Sequence, residues 1–195
     1  MKNFTLFLTR LLQMSLLSSL LSPVMSTVLA GEAKLVSWND LVPVEYHSDN
    51  LVAKYADELK KLETLPIGSP ETTEIMDRIN AEINSAPMNE AINGKKIRLP
   101  GYISPLDVHQ GLISRFLLVP YFGACIHVPP PPLNQTVLVI AEKGQEIEME
   151  KIESPYEITG TIQISNTQTE IGGAGYVIKH AQSKKIREED WESYQ

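Results

Sequence analysis

The apolar positions of the chain divide it into stretches with different periods. From Leu11 to Leu29 the residues are mostly Leu, Met, Val and Ser, and Lys2 and Arg10 are the only charges before Glu32. A membrane span needs about 20 apolar residues in a row. Gln13, Ser15, Ser18, Ser19, Ser22 and Pro23 interrupt this run, which closes on Val28-Leu29-Ala30 as a signal peptidase requires. Residues 1–30 therefore read as a cleaved signal peptide. Further on, Leu51, Val52, Tyr55, Leu59 and Leu62 recur at helical spacing. Ile67-Gly68-Ser69-Pro70 breaks that helix, and Ser69 with Pro70 forms the cap and first position of a second one. Ile75, Met76, Ile79 and Ile83 carry the second helix to about Ser85. Together the two predict a helical hairpin.

From Ala91 to Ile186 the period shortens to that of strands. Asn93-Gly94 is a turn signal. Lys96 to Leu99 begins a strand that Gly101 and Pro105 are expected to bend or stop, with Leu99 to Tyr102 followed by Pro105 to Asp107 read as a rigid turn. Arg115 to Tyr121 and Thr136 to Ile140 are nearly unbroken apolar runs, as strands buried on both faces would be. Glu146, Glu148 and Glu150 alternate with Ile147 and Met149, the pattern of a short strand with a solvated face. In Tyr156 to Ile164 the apolar residues alternate with polar ones, and Gly160 interrupts the inward face as a bend or bulge would. A polar loop from Ser165 to Gly173, a flexible Gly-rich lead-in and a last strand at Tyr176 to His180 complete the pattern. The expected fold is α+β: a small, partly closed OB-like β-barrel over residues 91–186. Residues 31–90 form an N-terminal segment and helical hairpin, and 187–195 a charged, frayed tail.

Charge narrows the possible partners. The 195 residues carry a formal net charge of −7. Removing Lys2 and Arg10 from the 17 basic residues leaves 15 against 24 acidic ones, a net of −9. Such a surface argues against nucleic acid, which rewards clustered Lys and Arg, and against docking on an anionic membrane. With its signal removed, the chain is not expected to be an integral membrane protein.

The single cysteine sits in FGACIHVPPPP, residues 122–132. One cysteine cannot make an internal disulfide, and in an oxidising compartment an exposed thiol is a liability. In an extended strand Cys125 and His127 would project from one face, held in place by the stiff run Pro129, Pro130, Pro131 and Pro132. Thiolate and imidazole suit zinc or copper, with His109 as third ligand or Asp107 in its place. The competing readings are a buried structural cysteine, the commonest fate of a free Cys, and a thiol nucleophile activated by His127. Asn134-Gln135-Thr136 matches a glycosylation triplet, which only a eukaryotic secretory route would use. Pro129 to Pro132 with Asn134 and Gln135 forms the candidate contact surface, because a rigid loop loses little entropy on docking.

Four segments carry a resemblance: INGKKIRLPGYISPLD, FLLVPYFGACIHVPPPPLNQ, YEITGTIQI and GGAGYVIKHA. In these the chain resembles the bacterial exported family known as domain of unknown function 3299, over roughly Trp38 to Ala181. The resemblance implies a periplasmic protein with no established activity and no catalytic residues to carry over. It also implies an accessory role at an inner-membrane ABC transporter subunit or another periplasmic protein, with metal supply as one form of that role. The expectation is a non-enzymatic accessory or binding protein; the alternative is a metal-binding module built on Cys125 and His127.

Thiol labelling separates these readings. A structural Cys125 is expected to stay inert to iodoacetamide until denaturant is added. Fast labelling of the native protein, suppressed by zinc or copper and restored by chelator, would replace that reading with the metal site.

Overall fold

The computed structural model describes residues 32–124 and 130–194. Seven strands follow one another as β1 (Lys34–Leu35), β2 (Lys96–His109), β3 (Leu112–Val119), β4 (Val137–Ala141), β5 (Ile147–Glu148), β6 (Tyr156–Gln168) and β7 (Gly173–Lys185). Before β2 come three helices, α1 (Ser48–Lys54), α2 (Ala56–Leu62) and α3 (Pro70–Ser85). The sheet order is β1-β2-β6-β7-β4-β3-β5, and a further pairing of β2 with β3 closes the five long strands into a barrel. Within that barrel the neighbours are antiparallel except for β4 and β7, which run parallel. This is the strand arrangement of a five-stranded OB-type Greek-key barrel with N-terminal helices, as the strand count predicts.

Closure rests on β2. Its first half, through Gly101, pairs with β6, and its second half, from Tyr102 on, pairs with β3. The strand thus runs straight through the segment that its prolines and glycine mark as a turn. The turn expected at Leu99 to Tyr102 and Pro105 to Asp107 is absent because tertiary pairing overrides the local signal. Pro105 sits beside a register shift in the β2–β3 ladder, a place where a missing backbone donor is tolerated. At Gly101 a Cβ atom would lie 2.8 Å from the Val119 carbonyl oxygen and 2.9 Å from Trp38 Cζ2. The glycine is needed for close approach at the point where the strand changes partners.

The two apolar runs are buried on both faces, as their composition predicts. Along β3, Phe116 and Leu118 point into the main core while Leu117 and Val119 join a second cluster outside the barrel. Leu138 of β4 and Ala174 and Val177 of β7 belong to the same outer cluster. Val36 and Leu41, far upstream in sequence, pack in the main core. The alternation in Tyr156–Ile164 holds from Ile158 on, with Ile158 and Ile162 fully buried and Thr161 and Gln163 exposed, but Glu157, expected on the wet face, is buried and pairs with Arg98. Gly160 faces a bulge in β7, where His180 takes a left-handed backbone with φ of 52°.

Four boundaries differ from the sequence reading. The helix over Leu51 to Leu62 is broken at Tyr55, whose φ of −104° and ψ of 19° separate α1 from α2. The loop expected at 165–173 shrinks to 169–172, because β6 and β7 extend each other's ladder from Thr167 and Gln168 to Ala174 and Gly173. The Gly-rich lead-in is strand, and its glycines serve contact: a Cβ on Gly175 would meet the Leu133 carbonyl oxygen at 2.5 Å. The tail is docked through Glu188–Tyr194, where Trp191 packs edge-on against Tyr102 at 5.3 Å between ring centroids. In contrast, α3 starts and stops where expected, its Ser69 hydroxyl accepting from the Thr72 backbone at 3.2 Å.

Gly101→Ala places a methyl group against backbone atoms that cannot swing aside. Overpacking of this kind costs about 1–3 kcal/mol, so a lower urea midpoint is expected. An unchanged midpoint would mean that β2 can shift at its change of partner.

Candidate binding cleft

Between the helices and the turn before β4 lies an apolar cleft of about 340 Å³. One wall is Leu51 and Val52 of α1 with Tyr55 and Leu59, and the other is Ile79 and Ile83 of α3. Val42, Tyr46 and Ala86 line it on the side of the N-terminal segment, and Asn134 and Gln135 contribute from the turn before β4. The helical periodicity that predicts a hairpin therefore also supplies the cleft. Its apolar stripes face each other and leave space between them instead of meshing fully.

Some of the polar groups around this cleft are committed to holding it, whereas the side chains of Asn39, Tyr46 and Ser48, which also line it, bond to no described residue. Asn134, only 2% exposed, gives its amide hydrogen to the Ala86 carbonyl at 2.6 Å. Gln135 donates to the Trp38 carbonyl at 3.0 Å. The Asn89 side chain donates to the Asp40 carbonyl at 2.9 Å. Behind them Tyr176, fully buried, donates to the Leu41 carbonyl and accepts from the Asn89 N–H, both at 2.6 Å. Burial pushes the Tyr176 phenol up to about 12, so it stays a neutral donor. Each bond ties a turn from one part of the chain to a turn from another. None is repeated by a sequence motif.

At the open side the hairpin is clasped by charge. Glu82 of α3 accepts from both Lys54 and the Tyr55 hydroxyl, and Arg78 lies 3.4 Å from Glu58. The Lys54 bond, then the Tyr55 bond, hold the Glu82 carboxyl below its ordinary value of 4.5. The same contact raises Lys54 and Tyr55 above their ordinary values.

The residues singled out by sequence distribute unevenly over the structure. Cys125, His127 and Pro129 lie outside the described residues. His109 ends β2 as an exposed residue at the hairpin tip, next to the turn Gln110-Gly111. Asp107, offered as its substitute, is engaged by the Arg115 guanidinium at 2.7 Å. Among the described residues no three His, Cys, Asp or Glu side chains gather as a metal site needs. Just before Cys125, Phe122 and Gly123 form a turn, with Gly123 at φ of 80°, and are not extended strand. Ala124 is then fixed by the Ser104 hydroxyl, which donates to its carbonyl at 2.6 Å. In the proline run Pro130 is exposed, whereas Pro131 is buried. Thr136 donates to the Pro132 carbonyl at 3.1 Å. Asn134 and Gln135 reach the cleft, and the burial of Asn134 leaves no room for a glycan. The cleft itself went unread in the sequence, although Ile79 and Ile83 of the apolar stripe are its visible trace.

Comparison with known proteins gives a family without a chemistry. Residues 38–185 match the family described as "Protein of unknown function (DUF3299)". The crystal structure of a DUF3299 family protein from Pseudomonas aeruginosa PAO1 is similar, with 29% sequence identity and a TM-score of 0.57. The similarity covers 80% of this chain and 98% of that one. No curated protein matches the chain.

The clasp makes a pH prediction. Because the folded Glu82 carboxyl is held low, its contribution is present above the ordinary carboxylate range and is lost as pH falls through the lowered folded value. On acidification the amide protection factors, taken against the unfolded-chain exchange rate at each pH, are expected to fall in α1 and α3 before they fall in β6 and β7, and Glu82→Gln should remove that difference. Simultaneous loosening of helices and barrel would show that the clasp contributes nothing.

Proposed function

This chain belongs to the DUF3299 family, and from that premise we propose that it is a non-enzymatic periplasmic binding protein. It docks an apolar segment of a partner protein, such as a transporter subunit, in the cleft between the hairpin and the turn before β4. The observation that carries this reading is the mainly apolar lining of the cleft, supplied by Val42, Leu51, Val52, Leu59, Ile79 and Ile83. Asn134 and Gln135 spend amide donors on backbone carbonyls, which leaves Asn39, Tyr46 and Ser48 as the open polar groups beside the apolar lining. Apolar side chains lose nothing by entering such a space and gain about 25 cal/mol for each Å² removed from water.

Charge points to the kind of partner. Between Val44 and Ser85 there are nine acidic side chains, including Glu45, Asp49, Glu58 and Glu82, against Lys54, Lys60, Lys61 and Arg78. The fitting occupant is a helix that buries apolar residues at i, i+3 and i+4 and carries Lys or Arg beside them. Complementary charge of this sort chiefly raises the association rate and fixes register.

The test uses three fluorescent peptides: an amphipathic Leu/Lys helix, a scrambled version, and a Leu/Glu helix. Binding to the Leu/Lys helix is expected, weakened about tenfold, or roughly 1.4 kcal/mol, by Val52→Arg. Val52 is 57% exposed at the cleft edge, so the substitution spares the fold. Equal binding of the scrambled peptide, or no effect of Val52→Arg, would sink the proposal.

A further inference from the structure

On the outer face of β2, β6 and β7 a polar groove of about 460 Å³ contains no carboxylate. Its rows follow from strand register. Lys96 of β2 stands opposite Thr161 of β6, and Thr161 stands opposite Lys179 of β7. Residues in one row project to the same face, and two strand spacings separate the lysines by about 9.6 Å at the backbone. Both ammonium groups can therefore reach a group seated over Thr161. The neighbouring row adds Thr159 and Gln182, and Gln163 and His180 complete the lining.

Two features leave this groove open to a ligand. First, Lys96, Thr159, Thr161, Gln163, Lys179, His180 and Gln182 form no side-chain hydrogen bond or ion pair with any described residue. Among the described residues Lys54, Arg98, Arg115 and Lys151 pair with acids, whereas other surface lysines such as Lys60 and Lys143 are unpaired as Lys96 and Lys179 are. The nearest acid along β6, Glu157, is buried and turned to Arg98 at 3.5 Å. Second, the groove is shaped by the bulge in which His180 is held in the left-handed region, φ 52°. Few side chains adopt that backbone without cost, and bulges recur where a strand re-aims side chains at a site.

We propose that this groove binds a phosphate group, with Lys96 and Lys179 as the charged contacts, Thr161 beneath, and the Gln163 and Gln182 amides as neutral donors. The site lies on the barrel, apart from the apolar cleft, and does not depend on the cleft's function. A chain of net charge −7 repels anions at long range. The groove works against that field only at contact distance, and its affinity is therefore set by direct contacts and not by steering.

The experiment is a titration of isotope-labelled chain with inorganic phosphate, with chloride at matched ionic strength as reference, read by amide NMR shifts. Saturable shifts at Thr161, His180 and their neighbours are expected. The double substitution Lys96→Gln and Lys179→Gln should weaken binding at least tenfold at unchanged melting temperature, while Lys60→Gln on α2 leaves it alone. Phosphatidylglycerol vesicles separate the source: sedimentation that the double substitution abolishes supports a lipid headgroup, and phosphate binding without sedimentation supports a soluble phosphate. Shifts equal to those with chloride, or binding indifferent to both lysines, together with no lysine-dependent sedimentation, would overturn the proposal.

Discussion

The barrel closes because one strand satisfies its backbone on two different neighbours, and it can change neighbours only where a side chain is missing. Buried backbone N–H and C=O groups must be paired, so an open sheet rolled around this core would leave two edges to cover. β2 resolves this by giving its first half to β6 and its second to β3, with Gly101 at the crossing. The approach of Val119 and Trp38 to Gly101 fixes how tightly the barrel can curl. Everything outside the barrel is then positioned from that curl. Trp38 packs at the crossing and donates to the Pro100 carbonyl at 2.9 Å, which places the N-terminal segment and the turns that border the cleft.

Closure has an asymmetric result for the barrel's outside. β3, β4 and the first half of β7 carry apolar residues on both faces, so their outer surface is a second buried cluster. β6 and the second half of β7 alternate, so their outer surface is wet and basic. An OB-type barrel commonly binds oligonucleotides or oligosaccharides on the face of its second and third strands. Here those strands are β3 and β4, and the face is already buried by the chain itself. Among the described residues the helical cleft and the polar groove are two places with binding capacity, and they differ in chemistry. One offers a mainly apolar surface; the other offers unspent donors and no acid.

Much of this was legible from the chain alone. The start of α3 at Ser69-Pro70 and its end before Ala86-Pro87 follow from local rules, since capping and the restriction before proline act within a turn of helix. Strands buried on one or both faces are equally readable, because burial writes a period of two or an unbroken run. The hairpin turn Gln110-Gly111, with both residues at positive φ, was not legible. Glutamine is not a residue that marks such a turn, and the twist of β2 and β3 imposes it. The break at Tyr55 was missed for a similar reason: the helical period runs through it undisturbed.

By itself, the sequence determined the elements, the faces they bury, the acidic surface and the family. Each of these depends on residues close together in the chain or on composition. The tertiary structure alone decided which turn signals are overruled, which amides meet which carbonyls, and which side chains share a surface. Lys96 and Lys179 stand two strands apart although most of the barrel separates them in sequence, and Gln135 reaches Trp38 across almost a hundred residues. Such meetings are set by strand register and barrel closure. A local pattern cannot encode them, because the free energy that selects them is gained only when the whole barrel is formed.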